Sequence, residues 1–377
     1  MKNLGTAAMM GDEMRKGKAR GWPLPREHYR LLSALRNGLD HGPAAGHLLV
    51  AVSGGSDSMA LLELVALAAS SGPLKVTTCH IDHQVRPDGP RERDFVATGA
   101  ARLGLAFTSR TVTDPGRGDE DHLRRCRYRL LEEAAEAAGA DLIVTGHTRD
   151  DQIETVLFRL LRGAGLGGLA GMRQRRGRIV RPLLGESRNS LRRFLRDRGV
   201  AWLDDPSNAD MRYARNRMRH LVVPALETAF GHGTVDHIPE LARRWRLDED
   251  HLEAEARRFA AFVTRGHGPA AELDLAALAG IPEALRARVL RNWVGSVGGP
   301  DPLTIAQLER VEAIASSTAK PGSVDLPGFV VLCRDGRLLA ASPGAGSKAN
   351  PAARGINKAD RVQGPVKRGP GKRSAKP

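Results

Sequence analysis

The stretch His47-Leu-Leu-Val-Ala-Val-Ser53-Gly54-Gly55-Ser56-Asp57-Ser58, running on into Met59-Ala-Leu-Leu-Glu-Leu-Val-Ala-Leu-Ala68, decides the fold. Its first apolar run is short and β-compatible; its second is long enough for a helix. The glycines, serines and aspartate between them therefore fall where a strand turns into a helix N-terminus. Such a place offers unpaired backbone N–H groups and the positive end of a helix dipole, which together attract phosphate. Gly54 and Gly55 let consecutive amides approach one anion closely. Asp57 would repel a phosphate unless a cation lay between them, so it points to a nucleotide accompanied by Mg²⁺, with Asp57 as the metal ligand. A plainer reading makes the segment a turn with Ser56 or Asp57 as N-cap. The loop is neither GxxxxGK[ST] nor GxGxxG.

Working outward, strand-like runs at 48–52, 75–81, 106–112 and 141–145 alternate with helical patterns at 58–69, 91–103, 123–138 and 151–161. This alternation predicts an α/β fold with a doubly wound parallel sheet. Ligands in such sheets bind at the carboxyl ends of strands. The Ser53–Ser58 loop, His80–His83 and Gly146–Asp151 all lie there, each after a different strand. Beyond Pro206 the pattern becomes amphipathic and helical over 215–228, 240–265, 282–297 and 304–316. The expected organisation is a flexible leader (1–24), a nucleotide-binding catalytic domain (25–212), a mainly helical substrate-binding domain (213–342) and a disordered basic tail (343–377). Asp335-Gly336 between apolar runs marks a hairpin at the end of the helical domain.

Composition narrows the partners. With 377 residues, 41% hydrophobic and 27% charged, the chain can build two or three cores. No apolar stretch approaches a membrane span, and the polar N-terminus lacks a signal-like core. Three cysteines (Cys79, Cys126, Cys333) without CxxC spacing predict a reducing cytoplasm and no structural zinc. The net charge is +15, of which residues 343–377 supply +8 from nine Lys/Arg and one Asp. The remainder is still basic, which favours a nucleic-acid partner. Aromatic content of 4% argues against a base-stacking platform. No feature points to a protein partner.

Four further segments carry chemistry. In Cys79-His80-Ile81-Asp82-His83-Gln84-Val85-Arg86, His80 and Asp82 alternate with Ile81 at a strand end, reading as a wall of a nucleotide pocket rather than a metal site. In Glu120-Asp-His-Leu-Arg124-Arg-Cys-Arg127-Tyr128, Arg124 and Arg127 share a helix face at i, i+3, either clamping phosphate or lying solvated. In Thr145-Gly146-His147-Thr148-Arg149-Asp150-Asp151-Gln152-Ile153-Glu154, carboxylates gather beside a histidine at a strand end, which suits a cationic substrate. Asp151 and Glu154 also have the spacing of a capping box. Finally Asp204-Asp-Pro-Ser-Asn208 precedes a run in which Arg212, Arg215 and Arg219 share a helix face, a solvated stripe or a phosphate contact.

Taken in order, SGGSDS, HIDHQVR, the Glu120–Arg124–Arg127-Tyr128 set, TGHTRDDQIET, RGAGLGGLAGM, DDPSN and RNRMR resemble the bacterial tRNA(Ile)-lysidine synthetase family, a branch of the PP-loop ATP-pyrophosphatases, over about Leu48–Leu226. The resemblance implies use of ATP and Mg²⁺ to adenylate cytidine 34 of the isoleucine tRNA bearing a CAU anticodon. Free L-lysine then displaces AMP to give lysidine. On that resemblance Ser53–Ser58, His80 and Asp82 hold ATP, Asp151 and Glu154 lie near lysine, His147 or a carboxylate takes a proton, and Arg124 and Arg215 stabilise leaving-group charge. Thr148 stands where the family often has a second histidine. The chain also ends in a hairpin and basic tail where larger members carry a further domain. Competing expectations are a PP-loop tRNA thiolase, which looks for a cysteine pair, a small-molecule amidating ligase, and a non-catalytic RNA-binding module.

Overall fold

Strand β1 (His47–Ala51) is buried on both faces, and its alternation sorts side chains between two apolar layers. Leu48 and Val50 join one cluster and Leu49 the other. The computed structural model describes residues 25–39, 46–84, 89–113, 120–204, 210–299, 303–316 and 321–341. The leader at 1–24, the tail at 343–377 and most of the Asp204–Asn208 motif lie outside the described residues.

The chain forms two compact units, residues 1–249 and 250–377. In the first, α1 (Arg26–Leu39), β1, α2 (Ser56–Ala69), β2 (Lys75–Asp82), α3 (Gly89–Arg102), β3 (Ala106–Thr111), α4 (Glu120–Ala138), β4 (Leu142–Thr145) and α5 (Arg149–Leu160) follow in order. A one-turn helix α6 (Leu166–Leu169), short strands β5 (Arg175–Arg176) and β6 (Ile179–Val180), and α7 (Arg188–Asp197) complete the layer. The sheet order is β3-β2-β1-β4-β6-β5, parallel except for β5 against β6. Leu61 and Leu64 of α2 and Phe194 of α7 pack on one face; Leu131, Ala134 and Ala135 of α4 pack on the other. The doubly wound parallel sheet is thus present. The order in which strands are added reverses between β1 and β4, which stay parallel, and the crevice at that switch point is where ligands lodge in such sheets.

The expected boundary at 212/213 falls inside the first unit. Beyond it, α8 (Ala214–Arg217) runs through a π-turn (Met218–Val222) into α9 (Val223–Phe230). Met218 and Val235 bury against Ile153 and Leu157 of α5, which fastens this segment to the α/β layer. Helix α10 (Ile238–Val263) carries the division between Glu249 and Asp250.

The second unit contains α11 (Leu275–Ala279), α12 (Glu283–Ser296) and α13 (Ile305–Ser316), the last two as expected. It adds an antiparallel sheet, in the order β7 (Thr264–Arg265), β8 (Glu272–Asp274), β11 (Arg337–Ala341), β10 (Phe329–Arg334), β9 (Gly322–Leu326). Trp293, Val289 and Val331 lie in its core. The hairpin turn is at Asp335-Gly336, both with positive φ (51° and 72°), the conformation an Asp-Gly pair favours in a two-residue turn.

Glu63 on α2 is fully buried among leucines and is paired by Arg102 of α3 and Arg198 at the end of α7. A buried carboxylate stripped of its cations is costly. The double variant Arg102→Met/Arg198→Met should therefore lose about 3 kcal/mol in urea unfolding; an unchanged midpoint and slope would show that Glu63 needs no partner.

Candidate active site

The loop after β1 and the N-terminus of α2 form one wall of a cavity of about 800 Å³. Gly54 adopts φ +92°, a conformation that only glycine takes without strain. Gly55 is the N-cap of α2 and offers no side-chain cap, so neither Ser56 nor Asp57 plays the capping role and the first amides stay open to a ligand. Ser58 Oγ donates to Gly55 O (2.9 Å) and accepts from Ser53 N (3.2 Å), which ties the loop into shape. The loop after β4 closes against it: a Cβ on Gly146 would lie 3.0 Å from Asp57 O and 3.2 Å from Ser58 Cα, so the two loops meet only because residue 146 is glycine.

Helix α5 starts from Thr148, whose hydroxyl accepts from Asp151 N while Asp151 Oδ2 accepts from Thr148 N (3.3 and 2.8 Å). The capping box is therefore Thr148/Asp151, not Asp151/Glu154. Threonine at 148 supplies the cap, and Asp151 and Glu154 project from one face, one turn apart. Both are buried. Three arginines hold them. Arg215 donates to Asp151 Oδ1 (2.8 Å) and Glu154 Oε2 (3.0 Å), and Arg219 to Glu154 Oε1 (2.7 Å). Arg188, at the start of α7, donates through Nε to Asp57 Oδ2 and through Nη2 to Asp151 Oδ1, both at 2.9 Å, with Nη1 3.6 Å from Glu154 Oε1. Arg188 N–H also donates to Asp150 Oδ2 at 2.9 Å, tying the start of α7 to the acidic loop. Three carboxylates and three guanidinium groups thus balance in one network spanning α2, α5, α7 and α8 with its π-turn, a rare feature that recurs at functional sites.

The electrostatics follow from burial and this network. Burial raises the Asp57 carboxyl above its ordinary value, with Arg188 only partly offsetting it. Burial works the same way on Asp151, but Arg215 and Arg188 outweigh it and hold that carboxyl below the usual range. His147 is kept well below the ordinary imidazole value by burial, reinforced by Arg127, Arg181 and Arg215 against the pull of Asp151. It is neutral near pH 7. Its Nδ1 lies 2.9 Å from Thr145 Oγ1, whose own proton is directed to Val180 O (3.5 Å), an arrangement that puts the imidazole proton on Nδ1. His80 is 1% exposed, donates from Nδ1 to Val52 O (3.0 Å), and presents Nε2 as a buried acceptor without a hydrogen-bond partner among the described residues. Asp82 accepts from Gln84 N (2.8 Å) on the cavity rim.

Of the expected site residues, Ser53, Gly55, Ser56, Asp57, Ser58, His80, Asp82, His147, Asp151 and Arg215 line this cavity, and Glu154 joins through its arginines. Arg124 does not line it; Arg127, its helix-face neighbour, does. Arg212 is exposed and paired with Asp210 (2.7 Å), away from the cluster. Sequence reasoning missed Arg188: the only local signal is Ser187 capping a helix, which says nothing of the partners it meets. Among the described residues no group of three or more His, Cys, Asp or Glu is arranged to hold a metal by itself. Mg²⁺ commonly takes one or two carboxylates and completes its shell with phosphate oxygens and water. Asp57, half-buried and incompletely compensated at the mouth of the phosphate loop, fits that role.

The histidines give a pH signature. Burial lowers His80, His147 and His83, the last from 6.5 to about 4. The unfolded chain thus binds protons that the folded chain refuses, so stability is full above the unfolded value and falls as pH drops from 6.5 toward 4. Urea midpoints should decline across that window, and His83→Asn should flatten the decline; a parallel curve for the variant would contradict the assignment.

Comparison with known proteins agrees with the geometry. A family model for the PP-loop domain matches residues 26–226, and one for the TilS substrate binding domain matches 273–339. The tRNA(Ile)-lysidine synthase of Salinispora tropica is 38% identical over 322 residues, covering 83% of this chain and 96% of that protein. That of Streptomyces coelicolor is 37% identical over 303 residues, covering 79% and 85%. Among solved structures, the U34-tRNA thiolase NcsA of Methanococcus maripaludis superposes with a TM-score of 0.50 at 13% identity, over 58% of this chain and 79% of that one, a likeness of fold alone. With the PP-loop model spanning the cavity and such relatives spanning most of both lengths, the chain belongs to the tRNA(Ile)-lysidine synthase family.

Proposed function

We propose that this cavity performs the two steps of lysidine synthesis on the isoleucine tRNA with a CAU anticodon. The observation that carries the reading is the meeting, in one cavity, of an uncapped helix N-terminus with an arginine-held pair of acidic side chains. In the first step the C2 oxygen of cytidine 34 attacks the α-phosphorus of ATP and pyrophosphate leaves. In the second, an unprotonated ε-amine of free L-lysine attacks C2, AMP departs with the oxygen, and the amine gives up its proton. The product tRNA reads AUA.

The chain's residues divide this work. Ser53, Gly54, Gly55, Ser56 and Ser58 hold the phosphates through the α2 N-terminus. His80 Nε2 accepts from the nucleotide's amine donors, with Asp82 beside it. Asp57 would hold Mg²⁺, which when bound would supply neutralisation of phosphate charge. Asp151 and Glu154 receive the ammonium groups of lysine, and neutral His147 is the proton acceptor. Arg215 and Arg127 face the charge that develops on the departing groups. A reducing cytoplasm suits this substrate and the three free cysteines; among the described residues no helix is long and apolar enough to cross a membrane. A sulfur-transfer reading is disfavoured by Cys79, whose thiol is buried and pushed up to about 12.

The network constrains the order of events. Asp151 and Glu154 are already neutralised by arginines, so lysine gains little until phosphates draw those arginines away. Lysine affinity measured by calorimetry should therefore rise about tenfold or more when a non-hydrolysable ATP analogue is present; equal affinities would refute the exchange. Incubation with ATP, Mg²⁺, lysine and tRNA transcript, followed by mass spectrometry of nucleoside 34, should show lysidine. Asp57→Ala and removal of Mg²⁺ by chelation should each suppress it at least a hundredfold. Unmodified cytidine with the intact protein would refute the reading.

A further inference from the structure

A second cavity of the first unit, of about 250 Å³, is lined by Arg124, Arg159, Arg173, Arg176, Arg181 and Arg246, with Glu249 as its one acidic residue. Arg181 is the unusual member. It is 5% exposed, donates to Arg173 O (2.9 Å) and to the Tyr128 hydroxyl (3.3 Å), and leaves its buried Nε–H without an acceptor. No carboxylate pairs with it among the described residues. Buried guanidinium groups normally have an anionic partner, because desolvating the charge is otherwise costly. Among the described residues Arg159 likewise donates only to carbonyls, Gly168 O (2.9 Å) and Gly171 O (3.2 Å), and burial with Arg124 nearby lowers its hold on its proton. Arg124 lies over the Tyr128 ring at 5.5 Å and Arg176 is exposed on the β5–β6 hairpin.

Arginines of the two cavities flank one aromatic ring. Tyr128 is flanked by Arg124, which lines the second cavity, and by Arg127 at 5.3 Å, which lines the first. We infer that the second cavity is a phosphate site for the RNA substrate, taking a backbone phosphate of the anticodon loop near the nucleotide presented to the first cavity. Gly167, Ala170 and Gly171 of the glycine-rich turn line it, and a Cβ at Gly167 or Gly171 would press on the Glu249 or Gln152 side chain. Arg124 thereby acts on the polynucleotide and not on the ATP leaving group. The inference rests on the tRNA reading above, and wild-type lysidine yield, measured in parallel, reports on that reading separately.

The test is equilibrium binding of the tRNA transcript to the full chain across a salt series. Arg124→Ala and Arg176→Ala, both at exposed positions, should each weaken binding about five- to tenfold and shallow the log K against log salt slope by about 0.7–1. An anticodon stem-loop carrying one neutral methylphosphonate linkage should show the same loss with wild type and no further loss with Arg124→Ala at the linkage the cavity holds. Arg181→Met probes the buried guanidinium, while the two exposed variants decide the matter if it does not fold. Unchanged tRNA affinity and slope in both exposed variants would overturn the inference. So would unchanged tRNA affinity together with altered inhibition by inorganic pyrophosphate, which would make the site one for free phosphate.

Discussion

Arg188 reaching Asp57 with one nitrogen and Asp151 with another is the interaction on which the site depends. It ties the phosphate loop, 131 residues before it in the chain, to the acidic helix, 37 residues before it. With Arg215 and Arg219 it pairs the three carboxylates of the cluster, two of which, Asp57 and Asp151, burial alone would push toward protonation. Each charge lost from such a set leaves another uncompensated, at several kcal/mol. The geometry is accordingly over-determined, and the site is set before any substrate arrives. The same balance underlies the proposal that a phosphate and an ammonium are the ligands: one would draw off guanidinium groups, the other would replace them on the carboxylates.

The fold around this network was largely legible in the sequence because it depends on short-range pattern. Leu48 to Val52 alternates between two buried layers, so the strand could be read; so could the hairpin at Asp335-Gly336, whose turn needs positive φ. The gathering of three loops at the strand ends followed from topology. What stayed hidden is tertiary. Nothing in Ser187-Arg188 tells that its guanidinium meets Asp57, and nothing in the 124–127 spacing tells which arginine faces which cavity. The capping role of Thr148 was missed because Asp151 and Glu154 have the same spacing as a capping pair. The strands at 264–265 and 272–274 are too short to show a period at all.

The segment beyond residue 212 illustrates how packing decides function. Its helices are amphipathic and Arg-rich, as a solvated stripe would be, yet Met218 and Val235 anchor them on Ile153 and Leu157. That anchorage turns Arg215 and Arg219 inward to Asp151 and Glu154, while Arg212, three residues earlier, stays outside with Asp210. Tyr128 plays a comparable dividing role on the other side, with arginines of two cavities against one ring. Neutral His147 and the open amides of α2 complete a site whose positive groups would, on the proposed reading, face phosphates and whose negative groups would face amines.

A crystal structure of the protein with a non-hydrolysable ATP analogue, Mg²⁺ and lysine tests the central claim most directly. The account predicts phosphate oxygens on the α2 amides, at least one of Arg188, Arg215 and Arg219 turned from carboxylate to phosphate, and a lysine ammonium on Asp151 or Glu154. Lysine bound elsewhere, with all three arginines still on their carboxylates, would contradict it.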